Sequence, residues 1–386
     1  MSDNSPMVHA IVHEMRSRIE RGTYGAGRSL PSERSLATEL HVSRLVVRQA
    51  IQELDQLGLI SCKPNCRPVV KGAWVRTRKN QSGPKHVFIW LWPNTAYFTA
   101  ASILKGIQSV DIPSDVRLVV GSASNSPDFE DCLAGEHKFL LDVAKDSHAA
   151  GVILWYLGAE RNSKALEEVR AAGIPMVFVD RLPPASLEGD FVGTDNLSAS
   201  QAGVKHLVDL GHNRIAYVTN QDLASTVRDR EAGYRRALKA GRIPFDPDLV
   251  CRGRTDEPAE VAALVDSLLA LSSPPTAIVG VNDQIALQVY EALQNRRVSV
   301  PRDMSVLGFD GSLRWVAGGG NLTSCCQQFE RIGELAVELL LQKMEGGSST
   351  SFRHMLLEAP LADCGSTDKP RQTLEIKPFV YSEKLI

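Results

Sequence analysis

No apolar run in the 386 residues approaches the roughly 20 needed to span a bilayer, and the opening MSDNSPMVHAIVHEM lacks the hydrophobic core of a signal peptide. A cytoplasmic protein without membrane contact is the expectation. The seven cysteines are odd in number and scattered, so they do not read as an extracellular disulfide framework. Cys62 and Cys66 stand four apart and Cys325 and Cys326 are adjacent, yet no second pair or histidine cluster completes a zinc set, and no metal is expected. The patterns HExxH, GxSxG, a phosphate-cradling glycine loop and a GxGxxG after a strand are also missing, which argues against an enzyme and against a bound cofactor.

The near-neutral total charge of −2 conceals an asymmetry. Residues 1–85 hold 14 Lys and Arg against 7 Asp and Glu, whereas the remainder holds 29 against 38. A basic head suits the phosphate backbone of nucleic acid, and an acidic body would stay off it. The length favours the same division, because a chain this long exceeds one average domain. We expect a head over 1–71, a linker over 72–85, a body over 86–366 and a tail over 367–386.

The head is most informative between Leu30 and Ile60, LPSERSLATELHVSRLVVRQAIQELDQLGLI. Ser32 and Ser43 can each cap a helix by accepting an open backbone N–H. His41 and Val42 form the turn between the two. In the second helix Ala50, Ile51, Leu54 and Leu57 recur at helical spacing, so one face is buried while Arg44 and Arg48 share another. Gly58 suits the stop. Upstream, Ile11, Met15 and Ile19 line one side of a further amphipathic segment.

With PSER, VSR, VR and LGLI at these distances, residues 6–71 resemble the winged helix-turn-helix of the GntR family of bacterial regulators. The resemblance implies that Arg34, Arg44 and Arg48 grip phosphates and guanine edges of double-stranded operator DNA, with Ser43 beside them. Leu45 and Val46 stand where the family usually has a small hydroxyl residue, so contact there would be apolar, as to a thymine methyl. The wing SCKPNCRPVV turns at Pro64 and Asn65, and Asn65 tolerates the positive φ a hairpin needs.

From His86 onward short β-branched runs alternate with helical stretches, as in parallel α/β sheets. VFIWLW, VRLVV, GVILWYL and PMVFVD form one series; RIAYVT, TAIVGV and MSVLGFD form a second. Two series mean two sheets, and ligands gather beyond the carboxyl ends of their strands, in a cleft between lobes.

The segments FVDR, VGTDN, HLVDLGHNRIAYVT, RDREAGYRRAL, PTAIVGVNDQIALQVYEAL, VPRDMSVLGFD and NLTSCCQQFERIGELAVELLL give the body a second resemblance, to the effector domain of LacI/GalR repressors and periplasmic sugar-binding proteins. The fold implied is α/β, a winged helix-turn-helix joined to a two-lobed, parallel-sheet body, similar in architecture to arabinose repressors. The resemblance implies ligand contacts from Arg230, Asp310, Asn282, Asp283 and Asp180. It also implies an aromatic pair, Tyr97 and Phe98, over the flat face of a sugar or purine, with Trp92 nearby. Asp283 has a second reading, as a cap for the helix beginning near Gln284. The function implied is a homodimeric, ligand-responsive repressor of carbohydrate-use genes with a small-molecule effector, a sugar first and a purine or other metabolite as the alternative. A transport-type sugar-binding protein is the reading from another class, and the basic head speaks against it.

Overall fold

The computed structural model describes residues 5–20, 23–25, 27–56, 59–62, 67–70, 83–92, 98–121, 129–158, 160–221, 224–253, 257–312, 322–345 and 352–371. In the head, α1 (Ser5–Glu20), α2 (Glu33–Glu39) and α3 (Arg44–Gln56) close around Met15, Leu30, Leu36, Val47 and Leu54, all fully buried. The two serines cap as the spacing predicts: Ser32 Oγ accepts from Ser35 N at 3.1 Å and Ser43 Oγ from Val46 N at 3.4 Å. His41 takes a φ of 54°, the left-handed conformation that turns the chain between α2 and α3. The wing pairs β1 (Ile60–Ser61) antiparallel with β2 (Val69–Val70), and Ser29 adds a bridge to Val69.

The body's first lobe runs β3 (Lys85–Trp90), α4 (Phe98–Ser109), β4 (Val116–Val120), α5 (Phe129–Lys145), β5 (Ala149–Leu154), α6 (Ser163–Ala171), β6 (Met176–Val179) and β7 (Asp190–Thr194). The second runs α7 (Asn196–Asp209), β8 (Ile215–Asn220), α8 (Ser225–Ala240), β9 (Val250–Gly253), α9 (Pro258–Leu269), β10 (Ala277–Gly280), α10 (Asp283–Asn295), β11 (Ser305–Asp310) and β12 (Thr323–Cys326). The chain then returns: α11 (Phe329–Met344) and β13 (His354–Leu357) complete the first lobe, and β14 (Leu361–Ala362) completes the second.

Sheet order is β13-β7-β6-β5-β3-β4 in the first lobe, all parallel, and β14-β12-β11-β10-β8-β9 in the second, parallel except for β14. Central strands read as unbroken apolar runs because helices cover both faces. On the first sheet, α4 and α11 bury Ile103, Ile107, Ile332 and Ala336, and α5 and α6 bury Leu140, Val143, Leu166 and Val169 on the other side. Three connections join the lobes: at Asp195, at Gln327–Gln328 and over 358–360.

The α4–α11 contact depends on two glycines. A Cβ built on Gly333 would sit 2.1 Å from the Ile103 carbonyl oxygen, and one on Gly106 would sit 1.9 Å from that of Glu330. Both clashes are with backbone, so the helices would have to separate. Gly333→Ala is expected to destabilise the body by roughly 1 to 3 kcal/mol, as overpacked cores do. An unchanged urea midpoint would contradict this close crossing.

The expected tail boundary needs correction. Residues 367–371 belong to the second lobe, because Asp368 N–H donates to Ser305 Oγ at 3.0 Å and its carbonyl accepts from His212 Nε2 at 2.8 Å. Arg371 also pairs with Asp303 at 2.7 Å. Most of the expected linker and the tail from 372 lie outside the described residues. No described helix is long and apolar enough to cross a membrane.

Candidate functional site

Two surfaces gather the candidate residues, one on the head and one between the lobes. On the head, Arg34, Ser43, Arg44, Leu45 and Arg48 are all exposed, and Leu45 keeps 58% of its surface open. Val46 does not join them. It is only 2% exposed and packs in the head core, so the apolar contact expected of the pair falls to Leu45 alone. Asn65 lies outside the described residues.

Glu33, at the start of α2, organises the arginines. Its carboxylate accepts from Arg48 Nε at 3.2 Å and Nη2 at 2.9 Å, and stands 3.9 Å from Arg44 Nη2. The hydrogen bonds from Arg48 hold the Glu33 carboxyl below its usual range. This engages the side edge of the Arg48 guanidinium and leaves its end, Nη1 with the second Nη2 proton, facing out. Those parallel donors match the O6 and N7 acceptors of guanine. Arg34 has no ion-pair partner among the described residues, which suits it to a phosphate.

Between the lobes the anchor is Arg230 on α8, almost wholly buried. Its Nε donates to Asn196 Oδ1 at 2.7 Å, Nη1 to the Val281 carbonyl at 2.8 Å, and Nη2 pairs with Asp310 Oδ1 at 3.2 Å. The guanidinium also lies 3.8 Å from the Phe309 ring centroid. Asp310 ends β11 and additionally accepts from Gln327 Nε2 at 2.7 Å. Asp180 comes from the opposite lobe, just past β6, and Arg230 and Arg181 are its cationic neighbours.

Asp180 and Asp310 have φ values of 61° and 119°, which L side chains rarely adopt. Such strain costs about 1 to 3 kcal/mol per residue and gathers at functional sites. Burial pushes both carboxyls above their ordinary range, against the pull of Arg230; for Asp310 the Asp283 and Asp180 charges add to the rise.

Asn282 and Asp283 do not behave as free ligand contacts. Asn282, rather than Asp283, caps α10, its Oδ1 accepting from Ile285 N at 2.9 Å. Asp283 is fully buried, with Oδ1 receiving Ser324 Oγ at 2.6 Å and Oδ2 receiving Ser312 N at 2.7 Å. It fixes the loop after β11 and so positions Asp310. Phe98 is exposed at the first turn of α4, and Trp92 is half-buried with the Arg181 guanidinium 5.5 Å from its ring. Tyr97 lies outside the described residues.

Beyond β5 the buried stretch Trp155–Gly158 is held in place by the buried Glu136 of α5. Its carboxylate accepts from Leu157 N at 2.6 Å, Gly158 N at 2.9 Å and Asn162 Nδ2 at 2.8 Å. Burial outweighs these donors and pushes the Glu136 carboxyl up to about 7. A raised carboxyl pKa means the folded protein holds the proton more tightly than the unfolded chain does. Its stabilising effect is therefore full below the unfolded value and is lost as pH rises through about 7. Relative to Glu136→Gln, the wild type should lose roughly 3 kcal/mol at most between pH 4.5 and 7.5. A pH-independent difference in urea midpoints would refute the assignment.

Three further residues enter the site: Asn196, Gln327 and Trp155. Gln327 and Trp155 each stand one position past the carboxyl end of a strand, a signal the sequence offered. Gln327 also meets Thr194 Oγ1 at 2.5 Å, tying two of the interlobe connections together. Trp155 Nε1 is buried beside the Asp180 carboxylate, and its N–H helps to hold that carboxyl down against burial. Tyr217 Oη and Thr219 Oγ1 on β8 are buried and unpartnered among the described residues.

Comparison with known proteins follows the same division. Residues 8–68 match the bacterial regulatory proteins of the gntR family, and residues 204–367 match a periplasmic binding protein-like domain. The ribose operon repressor of Haemophilus influenzae is 30% identical over 49% of this chain and 56% of its own length. The arabinose metabolism transcriptional repressor of Halalkalibacterium halodurans is 25% identical over 87% of this chain and 88% of its own. The first of these alignments spans little more than half of the relative. Among solved structures, a LacI family transcriptional regulator from Enterococcus faecium with bound ribose superposes with a TM-score of 0.62 at 20% identity, covering 74% of this chain and all of that one. That likeness establishes the fold of the body. The chain thus joins a head that matches the gntR family over residues 8–68 to a body that matches a periplasmic binding protein-like domain over residues 204–367.

Proposed function

We propose that the protein is a ligand-responsive transcription regulator, a repressor of carbohydrate-use genes that acts as a homodimer in the cytoplasm and catalyses no reaction. The observation that carries this reading is the coexistence, in one chain, of an exposed arginine surface on a helix-turn-helix and a cluster in which Asp180, Arg230 and Asp310 converge from two lobes. Two heads would grip the half-sites of a palindromic operator. Effector binding would close each cleft and alter the spacing of the heads. A coupling of about 1 to 3 kcal/mol changes operator affinity by roughly 5 to 150-fold. The named functions of the ribose and arabinose repressors support a sugar as effector.

Enrichment of bound sequences from a random duplex pool, followed by titration of the enriched site with a sugar panel, tests the reading. It predicts a palindromic consensus whose affinity changes when one sugar is added. If no sequence is enriched while a sugar still binds, the transport-type reading takes its place.

A further inference from the structure

We infer that Glu136 is a proton-operated latch on the stretch Trp155–Gly158, and that through Trp155 and Arg181 its charge state sets the conformation around Asp180, making the body responsive to pH. The regulator reading above supplies only the role of Asp180; the latch itself does not depend on it.

The first argument is geometric. Glu136 is fully buried, and among the described residues its carboxylate is ringed by uncharged donors: Leu157 N on Oε2, and Gly158 N with Asn162 Nδ2 on Oε1. Asn162 is itself fixed, its Nδ2 also reaching the Leu133 carbonyl at 3.0 Å. The backbone stands too close to move independently, since a Cβ built on Gly158 would lie 2.8 Å from Glu136 Oε1 and 2.6 Å from Asn162 Cβ. With both lone pairs of Oε1 taken, an added proton goes to Oε2, beside the Leu157 N–H. Hydrogen bonds to a carboxylate are roughly twice as strong as those between neutral groups, so the proton loosens the hold on Leu157 and Gly158.

The second argument is the connection to Asp180. Trp155 opens the same stretch, and its buried indole N–H faces the Asp180 carboxylate. Arg181 supplies another link, because its guanidinium acts on both Glu136 and Asp180 while lying 5.5 Å from the centre of the Trp92 ring. It is the charged group that reaches Glu136 from beyond β6. From beyond β5 the titratable neighbour is Tyr156, whose phenol burial pushes up and so keeps neutral, with Glu160 acting on that phenol in turn. The start of α6 brings only the uncharged Asn162, and the strands packed on α5 bring Phe88, Trp90, Val152 and Leu154, none of them charged. An ionised Glu136 therefore draws on Arg181 in competition with Asp180, and a neutral one leaves it to Asp180.

Burial favours the neutral acid and the three donors favour the anion, a balance that pushes the carboxyl up to about 7 and populates both forms. The test follows tryptophan fluorescence of the full chain from about pH 5.5 to 8.5 in the wild type and in Trp155→Phe, Glu136→Gln, Asp310→Asn and Arg181→Gln. The wild type should show a transition with a midpoint of about 7 that disappears in Trp155→Phe and in Glu136→Gln. It should persist in Asp310→Asn, which removes another carboxyl pushed up to about 7. Arg181→Gln should move the midpoint to higher pH by at least about 0.5, because the charge that favours the anion is gone.

A wild type without a Trp155-dependent transition would overturn the inference, as would a transition that Glu136→Gln leaves in place or that a folded Asp310→Asn removes. Should Glu136→Gln fail to fold, an unshifted midpoint in Arg181→Gln overturns it by itself. Neither DNA nor effector enters the measurement. A flat titration beside an enriched, sugar-responsive operator would therefore keep the regulator reading and remove the latch, and the latch would survive a failure to enrich any sequence.

Discussion

Arg48→Ala is expected to weaken binding to the enriched operator by about 30-fold to 10⁴-fold. Losing one bidentate guanine contact costs roughly 1 to 3 kcal/mol, and a dimer loses two. The geometry behind this is the Glu33 carboxylate, which takes the side edge of the Arg48 guanidinium and turns its end outward. Arg48 is exposed, so its removal should leave the thermal midpoint of the head unchanged. Arg34→Ala should act differently: as a phosphate contact, it should weaken selected and random DNA alike and reduce the salt slope by about one per head. Fluorescence anisotropy over a salt series separates the two. If Arg48→Ala weakened random DNA as much as the operator, Arg48 would be a phosphate contact and the role given to Glu33 would lapse.

Arg230→Ala should abolish the effector response and also cost the body about 3 to 5 kcal/mol, because it leaves the largely covered Asp310 carboxylate without its cation. The hydrogen bonds that Arg230 donates to Asn196 and to the Val281 carbonyl are lost with it, which is why stability falls along with the response. Adding Asp310→Asn to Arg230→Ala should recover part of the stability and none of the response. That pair forms a double-mutant cycle, readable by chemical denaturation and by ligand-induced thermal shift. An effector response that survived in Arg230→Ala would remove Arg230 from the binding set.

The strands most legible in the sequence were those buried on both faces. VFIW, GVIL and MVFV in one lobe, and IAYV, AIVG and SVLGF in the other, show the uninterrupted apolar runs that double burial demands. The strands Asp190–Thr194, Val250–Gly253 and Thr323–Cys326 mix Asp, Thr, Arg and Ser into short stretches, and their polar groups bond to neighbours that only the folded chain provides. Edge strand His354–Leu357 is half-exposed, so its apolar signal is diluted.

The site was legible to a similar degree. Asp180, Arg230 and Asp310 could be named as candidates because FVDR, RDREAGYRRAL and VPRDMSVLGFD carry the resemblance, and the folded chain pairs Arg230 with Asp310. Asn282 and Asp283 were assigned to the ligand because the chain alone does not reveal that Ser312 and Ser324, about 30 and 40 residues further on, engage Asp283. Gln327 and Trp155 were passed over, although the rule that ligands gather past strand ends points at both.

The path by which the backbone leaves the first lobe, builds the second, returns for α11 and β13 and ends in the second carries a consequence for any attempt to divide the molecule. A cut near residue 195 would strip one half of an edge strand and a covering helix, so neither half should survive alone. The two halves should therefore unfold in one step, and refolding should be slow, because β13 must find β7, laid down more than a hundred residues earlier. Truncations intended to isolate a sensor are better placed before Lys85 than anywhere within the body.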